Sequence, residues 1–280
     1  KLANGGTDEM PLFTSCCPAW VNFCEKNMPE VVPYLSTCRS PMQMFASVIK
    51  ENHKHSPRKH YHVAVMPCTA KKAEAAREEF RSDAGPDTDF VITTQELIQM
   101  IKESGIVFDE LEPEAVDMPF GTMSGAGVIF GVTGGVTEAV LRRITSDKSP
   151  AALRAIAFKG VRGDEGVKEA EVAYGDRTLK IAVVSGLGNA RKIIERIKAG
   201  EHYDFVEVMA CPGGCVCGAG QPFALRDEKE LRGKGLYSAD RMSSIKRSEE
   251  NPLMISLYNG LLKGKVHELL HVHYGAKEAE

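Results

Sequence analysis

The sequence predicts an α/β fold, two lobes of mainly parallel sheet flanked by helices, and three observations carry that expectation. Short apolar or β-branched runs alternate with helical segments along most of the 280 residues, the pattern of layered α/β architecture. Proline and glycine punctuate most transitions. Three cysteine-bearing loops each follow a predicted strand, and open α/β sheets gather their ligands at the carboxyl ends of strands. The three loops are therefore expected to meet in a cleft between the lobes.

Residues 11–20 read PLFTSCCPAW. A short strand is expected to end near Thr14, with Cys16 and Cys17 in the turn. Pro18 suits the first turn of a helix running to about Met28. Cys17 then lies at a helix N-terminus, where the dipole and free N–H groups favour a thiolate. Cys24 reads as a buried apolar thiol. Ser40 and Pro41 open a second helix, to about Lys54. Residues 63–66 form a compact strand that runs into Pro67 and Cys68, and a helix rich in Ala, Lys and Glu is expected over 70–80. Residues 90–92 form another strand, with Thr93 and Thr94 capping a helix over 95–103.

A glycine-rich segment spans 121–135 and contains SGAGVIFGVTGG. A phosphate loop would place lysine after its last glycine. Val136, Thr137 and Glu138 stand there instead, so that reading is rejected. A helix continues to about Thr145. Strands are predicted near 155–162, 167–174 and 178–184, and a helix over 186–199. The tail is read as helical over 239–246, 252–262 and 265–271.

The third cysteine loop is the richest. The apolar run 205–209 leads into residues 207–222, EVMACPGGCVCGAGQP. Glycines at 213, 214, 218 and 220 allow a backbone to wrap closely around an object, and Cys211, Cys215 and Cys217 offer soft ligands. The C-x3-C-x-C spacing departs from the repeated C-x2-C of zinc sites. On this stretch alone an iron–sulfur cluster, a structural zinc knuckle and an oxidoreductase-like turn all stay open. Residues 267–271, HELLH, match a zinc-protease motif. The competing reading is an amphipathic terminal helix whose Leu269 and Leu270 pack inward. His53, His55, His60, His62 and His202 lie in polar contexts and are expected on the surface.

Composition narrows the function classes. Apolar residues make up 43 % and the net charge is −3, so a sizeable core can form and nothing indicates nucleic acid or an anionic membrane as partner. No apolar stretch approaches the ~20 residues that span a bilayer. The first residues lack signal-peptide architecture and a start methionine, which reads as an excised or processed chain. The eight cysteines, 16, 17, 24, 38, 68, 211, 215 and 217, are too few and too clustered for a secreted disulfide scaffold. The compartment is read as reducing, the cytoplasm.

TSCCPAW (14–20), MPCTAKKAE (66–74) and residues 207–222 together resemble the three signature motifs of [FeFe]-hydrogenases, in the family's order. The likeness continues through ITTQEL (92–97), SGAGVIFGVTGGV (124–136), VRG (161–163) and HELLHVHY (267–274), and covers nearly the whole chain. It implies an H-cluster: a [4Fe-4S] cubane joined through one cysteine sulfur to a diiron unit carrying CO, cyanide and azadithiolate, in the cleft between the lobes. By that resemblance Cys17, Cys68, Cys211 and Cys215 hold the cubane, and Cys215 bridges. Cys16 is the proton-passing thiol and Lys71 donates to a cyanide. Met66, Met209 and Phe130 wall the pocket. Ser36 stands on the proton path, or else caps the next helix. H2 and protons are the implied reactants. Ferredoxin or NAD(P)-linked subunits would be the electron partners, and maturation proteins would load the diiron unit.

The chain departs from the family pattern at Cys217 and Ala219, where a small or polar residue and a third glycine are usual. It also begins after the part of the domain that carries further acidic residues of the proton path, so residues 1–280 are read as the C-terminal major part of the H-cluster domain. Two relatives compete with the enzyme reading. Iron–sulfur assembly proteins typically have a single cysteine in the first motif, and hydrogen sensors tend to lose the proton-transfer thiol. Cys16 beside Cys17 argues against both.

Overall fold

The computed structural model describes residues 10–82, 85–118, 120–145, 147, 149, 151, 155 and 166–275. In chain order the strands are β1 (Leu12–Phe13), β2 (Val63–Met66), β3 (Arg81–Ser82), β4 (Gly85–Pro86), β5 (Phe90–Thr93), β6 (Val167–Tyr174), β7 (Arg177–Ser185) and β8 (Phe205–Met209). The helices are α1 (Pro18–Asn27), α2 (Pro41–Asn52), α3 (Ala70–Ala75), α4 (Thr94–Glu103), α5 (Gly125–Val128), α6 (Gly135–Ile144), α7 (Leu187–Lys198), α8 (Arg226–Met242), α9 (Pro252–Asn259) and α10 (Val266–Leu270).

Two sheets organise the chain, and both are mainly parallel as expected. The larger has the order β1-β8-β7-β6, parallel except for the β6–β7 hairpin. The smaller pairs β2 with β5 in parallel. β8 lies inside the larger sheet and all five of its residues are buried. Val206 and Val208 pack with Phe13, Trp20, Ile193 and Ile194 on one face. Phe205 packs with Leu141 and Leu179 on the other. Burial on both faces explains the apolar run that marked this strand, interrupted only by Glu207. Strand alternation then sends Glu207 to the Phe205 face, where α6 lies. The smaller sheet is covered on one side only. Ala64 and Val91 are buried with Met42 and Ala75, whereas Val63, Val65 and Phe90 are 48, 46 and 58 % exposed.

Local chemistry sets the helix limits. Pro18 opens α1, and Trp20, Val21 and Cys24 turn into the core. The Ser40 side chain accepts the Gln43 N–H and Pro41 opens α2, which ends at Asn52. α3 stops at Ala75, short of the expected residue 80. Arg77 adopts an extended backbone there, and its guanidinium is committed to Glu25 at 2.9 and 2.6 Å. At α4 the expected Thr93 cap is a full capping box with Glu96.

α8 begins at Arg226 and ends at Met242, a correction to the tail helix read over 239–246. Its abundant charge and two interior glycines, Gly233 and Gly235, hid the helical pattern. Among its described side chains only Asp240 is buried, and Arg142 of α6 grips it at 2.8 and 2.7 Å and Glu138 at 2.7 Å. α9 stops at Asn259 because Gly260 follows. Beyond α8 the tail crosses to the smaller sheet's side. Leu262, Leu269 and Leu270 pack with Val48 of α2, and the Val272 N–H reaches the Thr37 carbonyl at 2.7 Å. The strand expected over 155–162 and the motif 161–163 lie almost wholly outside the described residues.

Candidate metal centre

β1, β2 and β8 each end in a cysteine loop, as the sequence predicted. β1 and β8 are neighbours, so the first and third loops emerge side by side. The Thr14 hydroxyl ties them by accepting the Val208 N–H at 3.1 Å. The second loop comes from the smaller sheet and is clamped to the third: the Gly220 N–H donates to the Pro67 carbonyl at 3.0 Å. A Cβ at residue 220 would lie 2.6 Å from the Cys68 nitrogen, so only glycine permits this approach. Gly214 has φ +86° and backs onto residues 131–133, where a Cβ would meet main-chain atoms at 2.6–2.9 Å. The glycine-rich segment is thus the wall behind the third loop.

This closure brings four thiols together. Cys17, Cys68, Cys211 and Cys215 each lie within electrostatic reach of the other three. Burial, reinforced by the neighbouring thiols, pushes Cys17 and Cys211 up and Cys215 up to about 12. Backbone N–H groups of Ala210 and Trp20 point at the Cys17 sulfur and that of Ala219 at Cys211, which favours thiolate. Such N–H to sulfur contacts are a standard means of tuning cluster thiolates. Among the described residues, no three His, Cys, Asp or Glu side chains converge on the position of a single metal ion. Four thiols that act electrostatically on one another are the donor set an iron–sulfur cluster takes.

Cys16 lies beside the four, within electrostatic reach of Cys17 and Cys215. Burial raises its thiol well above the ordinary range, Cys17, Glu207 and Cys215 add to the rise, and Lys71 opposes it. Lys71 is only 5 % exposed, unlike a lysine on a solvated helix face. Its ammonium donates to Glu74 at 2.7 Å and to the Cys16 carbonyl at 3.3 Å, and the Ser40 hydroxyl also donates to Glu74, at 3.0 Å. Met209 is buried at the end of β8. Met66, at the end of β2, is half-buried and packs on the Met42–Ala64–Ala75–Val91 cluster. Phe130 is half-buried on a 3-10 turn, Ile129–Gly131, beside the wall. The Ser36 hydroxyl accepts the Cys38 N–H at 3.2 Å, and Ser40, not Ser36, caps α2. Cys217 packs on Ile129, Val132 and Val216 and acts electrostatically on Cys211.

The C-terminal HELLH segment behaves as the amphipathic alternative predicted. α10 has only five residues, with Leu269 and Leu270 buried, and His271 Nδ1 lies 2.9 Å from the Thr37 hydroxyl. Sequence reasoning missed Glu74 and Glu207. Glu74 stands three residues after Lys71, the spacing of facing helical partners. Glu207 is a single carboxylate inside an apolar strand, and that isolation was its signal.

Two family models match the chain. Residues 1–219 match the family described as "Iron only hydrogenase large subunit, C-terminal domain", and residues 226–277 match "Iron hydrogenase small subunit". The chain is 44 % identical to "NADP-reducing hydrogenase subunit HndD" of Solidesulfovibrio fructosivorans, over 98 % of this chain and 48 % of that protein. It is 45 % identical to "Periplasmic [Fe] hydrogenase large subunit" of Nitratidesulfovibrio vulgaris, over 79 % of this chain and 54 % of that one. "Cytosolic iron-sulfur assembly component 3" of Rattus norvegicus is 33 % identical over 97 % of this chain and 60 % of its own length. A solved variant of [FeFe]-hydrogenase HydA1 from Chlamydomonas reinhardtii aligns with a TM-score of 0.75 at 38 % identity, over 95 % of this chain and 77 % of that one. The chain spans about half the length of the two hydrogenase relatives.

Proposed function

The chain belongs to the iron-only hydrogenase family, and from that premise we propose that it is the catalytic part of an [FeFe]-hydrogenase, which cleaves H2 heterolytically and reduces protons. The observation that carries the reading is the set of four mutually facing thiols with a fifth, Cys16, beside them. Cys17, Cys68, Cys211 and Cys215 would hold the [4Fe-4S] cubane, with Cys215 shared with a diiron unit that bears CO, cyanide and azadithiolate. That bound group supplies the redox and H2-splitting chemistry. The chain supplies the rest. Cys16 is not needed as a ligand, so its sulfur is free to take up and release a proton. Burial and neighbouring negative groups favour the protonated thiol, while the Lys71 ammonium opposes them.

Lys71, held by Glu74, presents its ammonium as a fixed point charge for an anionic ligand such as cyanide. Met66, Met209 and Phe130 give a polarizable, water-excluding wall. Ser36 carries protons onward in this reading. Residues 1–280 form the C-terminal major part of the H-cluster domain, a reading supported by their covering about half of the hydrogenase relatives. An electron partner of ferredoxin type or an NAD(P)-linked subunit is supported by the NADP-reducing relative, and maturation proteins would supply the diiron unit. We place the protein in the cytoplasm on its cysteine usage; no helix among the described residues is long and apolar enough to cross a membrane.

The second reading is a non-catalytic iron–sulfur protein, favoured by the 33 % identity to an assembly component; Cys16 beside Cys17 weighs for the enzyme. The deciding experiment is an infrared spectrum of the full-length protein, made anaerobically with the maturation machinery. Bands of CO and cyanide on iron are expected, together with H2 turnover that Cys16→Ala abolishes. A cubane without those bands would transfer the argument to the assembly reading.

A further inference from the structure

Glu207 is fully buried on β8, four residues before Cys211. Both carboxylate oxygens are engaged at 2.7 Å: Oε1 accepts the Gly134 N–H, and Oε2 accepts the N–H and the hydroxyl of Thr137. These donors are the cap and first turn of α6, where the helix dipole favours an anion. Burial pushes the Glu207 carboxyl up and the three donors oppose it. With backbone donors on both oxygens and a helix N-terminus in front of it, the ionised form is the one the geometry suits.

The pinned turn is also the wall of the cysteine site. Gly214 abuts residues 131–133, and the next residue is Cys215. Glu207 therefore holds, from one carboxylate, the strand that leads to Cys211 and the turn that backs Cys215. Its charge is felt across the site at Cys16.

We propose that Glu207 is a positioning residue: a fixed buried negative charge that clamps the 131–137 turn behind the cysteine loop and holds the reduction potential of the bound cubane low. A nearby anion disfavours adding an electron, and charge around an iron–sulfur cluster is one of the levers on its potential. The proposal rests on the cluster reading given above.

The test uses the full-length protein, made without the maturation machinery and reconstituted with iron and sulfide. Iron content, thermal melting and the cubane midpoint potential are measured for wild type, Glu207→Gln and Glu207→Asp. Glu207→Gln removes the charge and keeps the size; its potential is expected to move positive with iron content unchanged. Glu207→Asp keeps the charge and loses reach. Its potential is expected to stay near wild type, while hydrogen exchange at the Gly134 and Thr137 amides accelerates about tenfold, the worth of one hydrogen bond. An intact cubane with an unmoved potential in Glu207→Gln overturns the electrostatic role. Should Glu207→Gln not fold, Glu207→Asp decides both halves: unchanged amide exchange overturns the clamp, and a potential shifted like that of a lost charge overturns the charge. A wild-type chain that takes up no cubane sinks the cluster reading itself, and this proposal with it.

Discussion

At the scale of single residues, the thiols show how strongly burial governs chemistry. Cys215 is raised from an ordinary value of 9.0 to about 12 by burial, with Cys17 and Cys68 adding to it. The unloaded chain therefore carries Cys215 as a neutral thiol at physiological pH, and metal must displace a proton to bind. Alkylation is the direct check. In the metal-free protein at pH 8, Cys215 should react with iodoacetamide far more slowly than exposed Cys38, as read by peptide mass spectrometry; equal rates would contradict the burial argument. The linkage has a definite sign. A raised pKa means that the stabilising contribution is complete below about pH 9 and fades as pH rises towards 12, so the metal-free chain should lose stability on the alkaline side. The cysteine loops were legible in the sequence because glycine and proline mark them. Glu74 and Glu207 were not, because a buried carboxylate is identified by its partners, and those lie 70 or more residues away for Glu207.

At the scale of elements, the same contrast recurs. α4 buries none of its residues fully, so its N-terminal cap matters more than its packing. Lys72 first, then Thr93, hold Glu96 down from 4.5 to about 2. With the folded value depressed, the cap's contribution is present above about pH 4.5 and is lost as pH falls towards 2. Hydrogen exchange of the α4 amides should accelerate across that window, and Glu96→Gln should flatten the dependence. α4 could be read from its capping threonine because a cap is local. α8 could not, since what fixes it is the distant Arg142–Asp240 pair. Removing one partner of a buried pair typically costs about 3–5 kcal/mol. Asp240→Ala is expected to lower stability by that order in urea titration, whereas a change at an exposed carboxylate such as Glu112 should be nearly silent.

At the scale of the whole molecule, the two family matches divide the chain at the point where the tail leaves the cysteine site. The tail nonetheless reaches both sheets' surroundings, through Asp240 at α6 and Leu269 and Leu270 at α2. The layered architecture was legible because strand and helix periods differ. The pairing of sheets and the path of the tail were not, because long-range packing leaves no periodic trace. The smaller sheet carries a further consequence. Two parallel strands with Val63, Val65 and Phe90 turned to solvent, and with no further strand paired to them among the described residues, make an adhesive surface with free main-chain edges. With that face uncovered, the chain should behave as a sticky colloid. Its light scattering should climb steeply with concentration and with added sulfate, and Val65→Lys together with Phe90→Lys should return it to monodispersity. Equal scattering from the double variant would mean that the stickiness resides elsewhere.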